Sequence, residues 1–169
     1  MIFVSVGTHE QPMDRLFLKL EELLTSKIIT ESIFVQSGFS HFTFKGCQAT
    51  AMLPFPEMER KMREARIIIC HGGPATLLQA RMHGKVPLAV PRQAQYGEHV
   101  NDHQVSFVKR LGDRGMVIPI YDLNSLGQAI LDYDQTAAKT QQSPDSASFG
   151  ASTKHELCRK LTEYCQSNG

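Results

Sequence analysis

The chain contains no tryptophan, and none of its four cysteines (Cys47, Cys70, Cys158 and Cys165) forms a Cys-x-x-Cys pair. That argues against a disulfide framework or a zinc site and for reduced thiols in a cytoplasmic protein. No window approaches the ~20 apolar residues of a membrane-crossing helix. The opening Met1-Ile2-Phe3-Val4-Ser5-Val6-Gly7 is too short, and lacks the basic flank, for a secretory signal. Charge of one sign is missing as well: 18 Lys and Arg stand against 17 Asp and Glu, a formal net charge of +1. There is no global field, basic stripe or aromatic platform for nucleic acid. No Gly-Lys-Ser/Thr follows a glycine-rich turn, so there is no Walker A loop, and no Gly-x-Gly-x-x-Gly dinucleotide fingerprint occurs. There is no internal repeat. What remains, 169 residues with 41% hydrophobic and 21% charged, suits one soluble domain with one core.

The chain alternates short apolar runs with helical patterns. Ile2–Val6, Ser32–Gln36, Arg66–Cys70, Lys85–Val90 and Met116–Ile120 read as buried strands, with shorter extended pieces at Phe42–Lys45 and Ala49–Phe55. Met13–Leu24 carries a helical stripe at 13, 16, 17, 20, 23 and 24. Further helices are expected from Pro56 to about Glu64, Ala75–His83, Gly97–Leu111 and Leu123–Tyr133. Gly84 is expected to stop its helix in the left-handed conformation. Alternating strands and helices with continuously apolar strands predict an α/β fold, a largely parallel sheet covered on both faces. Ligands of such sheets bind at the carboxyl ends of the strands, where the polar loops 7–9, 37–41, 71–76 and 91–104 fall. Residues 1–133 form this domain. Residues 134–152, rich in Gln, Ser, Thr and Ala, read as a flexible linker. Residues 153–169 read as an amphipathic helix with Leu157, Leu161 and Tyr164 on one side.

The most informative stretch is Cys70-His71-Gly72-Gly73-Pro74-Ala75-Thr76. A strand, a glycine turn and a helix start converge there, presenting unpaired backbone N–H groups and the positive end of a helix dipole. A diphosphate suits that point. Gly72 and Gly73 allow close backbone approach, Pro74 fits the first helical position, and Thr76 adds a hydroxyl. A plain glycine turn without a ligand is the alternative.

A second constellation runs from Pro91 to Gln104. In the expected helix, Glu98, Asn101 and Asp102 share one face and His99 and His103 a neighbouring one. Carboxylates, amides and histidines supply the hydrogen bonds that sugar hydroxyls need, and a basic group or a helix end holds phosphates. The two histidines equally fit a solvated helix face, or a metal pair for which no third ligand is visible. Arg92 follows a strand end directly, and so does His9. Arg92 is equally readable as a surface charge, His9 as part of a helix-capping network, and Ser37 and Gly38 as a plain turn.

Taken in order, Val6-Gly7-Thr8-His9, Gln36-Ser37-Gly38, His71-Gly72-Gly73, Gly84-Lys85-Val86-Pro87, Val90-Pro91-Arg92 and Glu98-His99 with Asp102-His103-Gln104 resemble the family 28 glycosyltransferase C-terminal domain. More narrowly, they look like the small PssE-type soluble subunits of bacterial exopolysaccharide glycosyltransferases and their eukaryotic counterpart, the soluble subunit of a two-part GlcNAc transferase. The likeness covers about residues 1–130. The resemblance implies the Rossmann-like, donor-binding half of an inverting GT-B enzyme, with no cofactor and no metal. A membrane-associated partner would hold a lipid-linked acceptor and recruit this chain to the cytoplasmic face. Apolar residues of the first and last helices would serve that docking. Gly7, Thr8, Ser37, Gly38, His71, Gly72, Gly73, Pro74, Ala75, Thr76 and position 79 would bind the nucleotide diphosphate of a UDP-sugar. Where the family commonly has a glutamate for the ribose, this chain has Gln79, which loses the charge-assisted grip on a diol. Pro74 replaces a residue that is often small. Arg92, Glu98, His99, Asp102, His103 and Gln104 match the loop around donor sugar and phosphates, and His9 is the candidate base on this chain. The departures at 74 and 79 also fit a non-catalytic, degenerate subunit that stabilises a partner.

Overall fold

The computed structural model describes residues 1–41 and 45–143. Six strands form one sheet: β1 (Ile2–Ser5), β2 (Ile33–Gln36), β3 (Gln48–Thr50), β4 (Ile67–His71), β5 (Leu88–Val90) and β6 (Ile118–Pro119). Every pairing is parallel and the spatial order is β3-β2-β1-β4-β5-β6. Six α-helices accompany them among the described residues: α1 (Asp14–Thr25), α2 (Phe55–Glu64), α3 (Pro74–Met82), α4 (His103–Asp113), α5 (Leu126–Leu131) and α6 (Tyr133–Gln141). The order reverses direction between β1 and β4. At such a switch point the two strand-end loops leave toward opposite faces and open a crevice.

Successive strand residues point to opposite faces, and both faces here are covered. Ile2, Val4, Ile67 and Ile69 pack on one side with Leu16, Phe17 and Leu20 of α1 and with Leu126, Ile130 and Tyr133. Phe3, Ile68, Cys70 and Ala89 pack on the other with Met62, Leu77, Ala80, Val108 and Leu111 of α2, α3 and α4. This double burial is why the strands read as unbroken apolar runs. The α1 stripe falls as expected, with Met13, Leu16, Phe17, Leu20 and Leu23 buried. Gly84 takes the left-handed conformation (φ +71°) just beyond α3.

Two expectations are corrected. The helix anticipated over 97–111 begins only at His103. A single 3-10 turn (Ala94–Tyr96) ends at Gly97 with φ +68°. The polar side chains then bind nearby backbone rather than a helix ladder: Ala94 N–H donates to Asp102 Oδ1 (2.9 Å) and His103 N–H to Asn101 Oδ1 (3.2 Å). Short polar residues commonly compete with helix in this way. The expected helical faces shared by Glu98 with Asp102, and by His99 with His103, therefore do not exist. The other correction concerns 134–141, expected as linker and found in α6. Tyr133 and Ala137, one turn apart, are buried, and the Tyr133 hydroxyl donates to Val86 O (3.0 Å). One aromatic anchor and good helix formers such as Ala, Gln and Lys outweigh the polar composition. The remainder of the expected linker, the helix at 153–169 and positions 42–44 lie outside the described residues.

Candidate functional site

The crevice lies where β1 and β4 end. After β1 the chain turns through Gly7, whose φ is +73°. A Cβ there would stand 2.5 Å from His71 Cε1, so a side chain is excluded by conformation and by space. His71 closes β4 and its ring lies between the two glycine loops. A Cβ on Gly73 would come within 2.2 Å of His71 Nε2. Gly38 abuts the same place, since a Cβ on it would meet Gly7 O at 2.4 Å. Gly72 has a different neighbour: its Cβ would be 2.9 Å from both Gln104 Cβ and Val108 Cγ2 of α4. Both glycines thus have a structural reason beside the close ligand approach expected from sequence. Gly72 makes room for α4, and Gly73 for His71.

α3 starts beyond Gly73 with Pro74 in its first turn. Its N-terminal N–H groups, those of Gly73, Ala75 and Thr76, have no hydrogen-bond partner among the described residues, as the geometry of a helix start requires. The Gly72 N–H does have one. Gln104 Oε1 accepts from Gly72 N–H and from Arg92 N–H, both at 3.1 Å. Gln104 thereby joins the ends of β4 and β5 and caps one amide of the expected phosphate cradle. Gln104→Ala leaves two donors without an acceptor and is expected to lower stability by about 1–3 kcal/mol. Gln104→Glu keeps the oxygen and is expected to cost much less. Urea midpoints at constant slope measure both.

Arg92 and Glu98, expected around the donor sugar and phosphates, are placed inside the loop framework. Arg92 is 0% exposed. Its Nη1 donates to Gln11 O (2.6 Å) and Glu98 O (3.1 Å), and its Nη2 to Val6 O (2.9 Å). The Glu98 carboxylate, also buried, accepts from Arg15 Nε (2.7 Å), Arg15 Nη2 (3.0 Å) and Gln93 N–H (3.1 Å). Burial pulls the Arg92 pKa down and the nearby Glu98 charge opposes this. These side chains shape the crevice walls, and their hydrogen-bonding groups are largely spent on the protein itself.

Three imidazoles remain around the crevice. The rings of His9 and His99 are 4.9 Å apart and tilted by 39°. Gln11 N–H donates to His9 Nδ1 (3.3 Å) and Asn101 N–H to His99 Nδ1 (3.4 Å). In their neutral forms both rings then carry the proton on Nε2. Burial, Arg92 and His99 lower the His9 pKa, opposed by Glu10. Burial first, then Arg92 and His9, lower that of His71 to about 4, opposed by its contact with Ser5 O.

The structure thus gathers Gly7, Gly38, His71, Gly72, Gly73 and Gln104, with Ala75 and Thr76 at the helix start and His9 beside His99. It does not bring all candidates there. Asp102 and His103 are exposed and engaged in local loop bonds. Thr8 is exposed, and the Ser37 hydroxyl makes a long contact with Thr50 O (3.5 Å). Gln79 sits about 8 Å along α3 from Pro74 by helical rise. Among the described residues no group of three or more His, Cys, Asp or Glu has the arrangement to hold a metal.

Two residues that organise the site were missed. Gln36, 2% exposed, accepts from the Ser5 hydroxyl (2.7 Å) and donates to Gly7 O and Ala51 O (both 3.0 Å), locking three strand ends together. A glutamine closing an apolar strand was its visible signal, because a buried amide needs partners. Arg15 had no comparable signal, its partner Glu98 being 83 residues away.

A parallel sheet in this order, with a glycine loop and helix start at the switch point, defines a Rossmann-like domain of the kind that forms the C-terminal half of GT-B glycosyltransferases. The chain belongs to the glycosyltransferase family 28 C-terminal domain, which matches residues 1–159. Among solved structures it is similar to MurG of Acinetobacter baumannii, at 22% identity and TM-score 0.55 over 82% of this chain and 44% of that one. It is also similar to the glycosyltransferase of kitacinnamycin (15%, TM-score 0.62, 88% and 39%) and to CalG4, the calicheamicin glycosyltransferase (12%, TM-score 0.60, 99% and 44%). The chain thus spans less than half the length of each. No curated protein sequence matches it. Among the described residues no helix is long and apolar enough to cross a membrane.

Proposed function

We propose that this chain is the donor-binding half of an inverting glycosyltransferase. It takes a UDP-sugar, UDP-GlcNAc or another UDP-hexose, and acts with a membrane-associated subunit that presents a lipid-diphosphate-linked acceptor at the cytoplasmic face. The observation that carries the reading is the set of unpaired N–H groups of Gly73, Ala75 and Thr76 at the α3 start, opening on the β1/β4 switch point. Such a helix end favours the two phosphoryl groups on binding and the charge that grows on the leaving diphosphate during transfer. Membership of a family defined by a C-terminal domain supports this half-enzyme reading. Phe39, Met52, Phe55, Tyr96 and Val100 add to this. They are exposed apolar side chains on the loops that follow β2, β3 and β5 and at the start of α2, along the edge that holds the crevice. That edge joins the first and last helices expected from sequence as a place where the acceptor-presenting subunit would dock.

His9 is the candidate catalytic residue of this chain. Its bare Nδ1 faces Gln11 N–H, so its free nitrogen is a donor in the present arrangement. Acting as base requires that contact to open. His9→Ala is expected to leave UDP-hexose binding intact and to slow transfer in the reconstituted pair by roughly 10²–10⁴-fold. Wild-type turnover of that variant would place the base elsewhere. A second reading, a degenerate subunit without catalysis, is favoured by the Gln104 cap on Gly72 N–H. Titration of UDP-GlcNAc into the chain, followed by a transfer assay with the membrane subunit added, separates the two. No binding removes the donor-site proposal, and binding without transfer by the pair favours the second reading.

A further inference from the structure

His71 stands in the crevice with its two nitrogens in unlike settings. Nδ1 lies 3.4 Å from Ser5 O. A carbonyl oxygen only accepts, so Nδ1 carries the ring proton and Nε2 is bare. The bare nitrogen is the one nearest Gly73, at the start of α3, and it has no hydrogen-bond partner among the described residues. The lone pair thus lies beside the place proposed for an anion, where it would repel an approaching phosphate oxygen. A second proton on Nε2 turns that repulsion into a charge-assisted hydrogen bond.

We infer that the site takes up one proton as it takes its diphosphate, and that this proton goes to Nε2 of His71. The inference rests on the donor-site reading above and adds its proton linkage. The groups facing His71 explain why the proton waits for the ligand. Arg92 approaches from the end of β5 and His9 from the loop after β1, and both disfavour a further positive charge. Among the described residues only the carbonyl of Ser5, on β1, favours it. Gln104 of α4 is uncharged. His9 in turn faces His99 and Glu10, whose effects oppose each other. A bound diphosphate brings the negative charge that this cluster lacks among the groups closest to His71. The sign follows from linkage: the bound state holds more protons than the free state, so affinity rises as pH falls.

The ligand brings no competing titration, because both phosphoryl groups of a UDP-hexose are diesters that stay ionised between pH 5.5 and 8. UDP itself, with a terminal phosphate that titrates near pH 6, is unsuitable. The test is calorimetric titration of UDP-GlcNAc into the full chain in buffers of different ionisation enthalpy. The expected results are uptake of close to one proton near pH 6 and roughly twentyfold tighter binding at pH 5.5 than at pH 7.5. His71→Gln, whose amide reaches the Nε2 position as a neutral donor, should still bind but without uptake or pH dependence. Ring-nitrogen NMR of the wild-type chain needs no variant, and should show His71 Nε2 bare when free and protonated when bound. Binding without uptake would overturn the inference and leave the donor-site reading standing. Uptake that persists in His71→Gln would overturn the assignment to this ring. Absence of binding in the wild type would overturn both.

Discussion

Arg92→Met is expected to cost about 3–5 kcal/mol of folding stability. The methionine has similar reach and adds no steric conflict, so the loss measures hydrogen bonds and charge. The Arg92 head donates hydrogen bonds to three carbonyls that belong to the end of β1, the loop before α1 and the loop before α4. Each carbonyl left without a donor in a buried site loses about 1 kcal/mol or more. Glu98 also loses a neighbouring positive charge, although Arg15 still holds its carboxylate. Arg92→Lys should recover little, since an ammonium group is a compact charge and lacks the planar fork that spans three acceptors. Urea unfolding of the three proteins is the check. A loss below about 0.5 kcal/mol for Arg92→Met, the range of ordinary surface changes, would remove Arg92 from the loop framework.

Neighbouring glycines should fail in opposite ways. In Gly72→Val the new Cβ meets Gln104 Cβ and Val108 Cγ2 at 2.9 Å and Gln104 O at 3.3 Å. These belong to a packed helix, so α4 must shift. A stability loss of about 1–3 kcal/mol is expected, as for other overpacked sites. In Gly73→Val the clash is with His71 Nε2 at 2.2 Å, part of a side chain that can rotate. Gly73 itself has an ordinary extended backbone, φ −73° and ψ 129°, which valine adopts readily. Stability should change little, while the displaced ring and the valine fill the crevice. UDP-hexose affinity is expected to fall on the order of 100-fold, about 2.7 kcal/mol. Thermal melts paired with calorimetric titrations distinguish the two variants. Gly73→Val with unchanged affinity would move the diphosphate away from this crevice.

Much of the fold was legible because it depends on local pattern. Continuous apolar runs such as Ile67-Ile68-Ile69-Cys70 occur where a strand is covered on both faces, and the α1 stripe maps directly onto the buried side of one helix. Legibility failed where polar side chains compete for the backbone. The 94–102 loop has helix-like spacing, but Asn101 and Asp102 bind nearby N–H groups and hold it out of a helix until His103. It failed again at 134–141, where polar composition concealed the anchor supplied by Tyr133.

The candidate site divides the same way. The strand, glycine turn and helix start at 70–76, with their unpaired N–H groups, follow from consecutive residues, and sequence alone determined them. Tertiary structure alone decided what each neighbouring group does. It buried Arg92 and Glu98 in the framework, turned the Gln104 oxygen onto two backbone amides and set the His71 ring between Gly7 and Gly73. The reason is physical. A backbone donor at a helix start is fixed by the few residues that form it. The partner of a side chain is fixed by whichever distant loop the sheet order brings within about 3 Å of it.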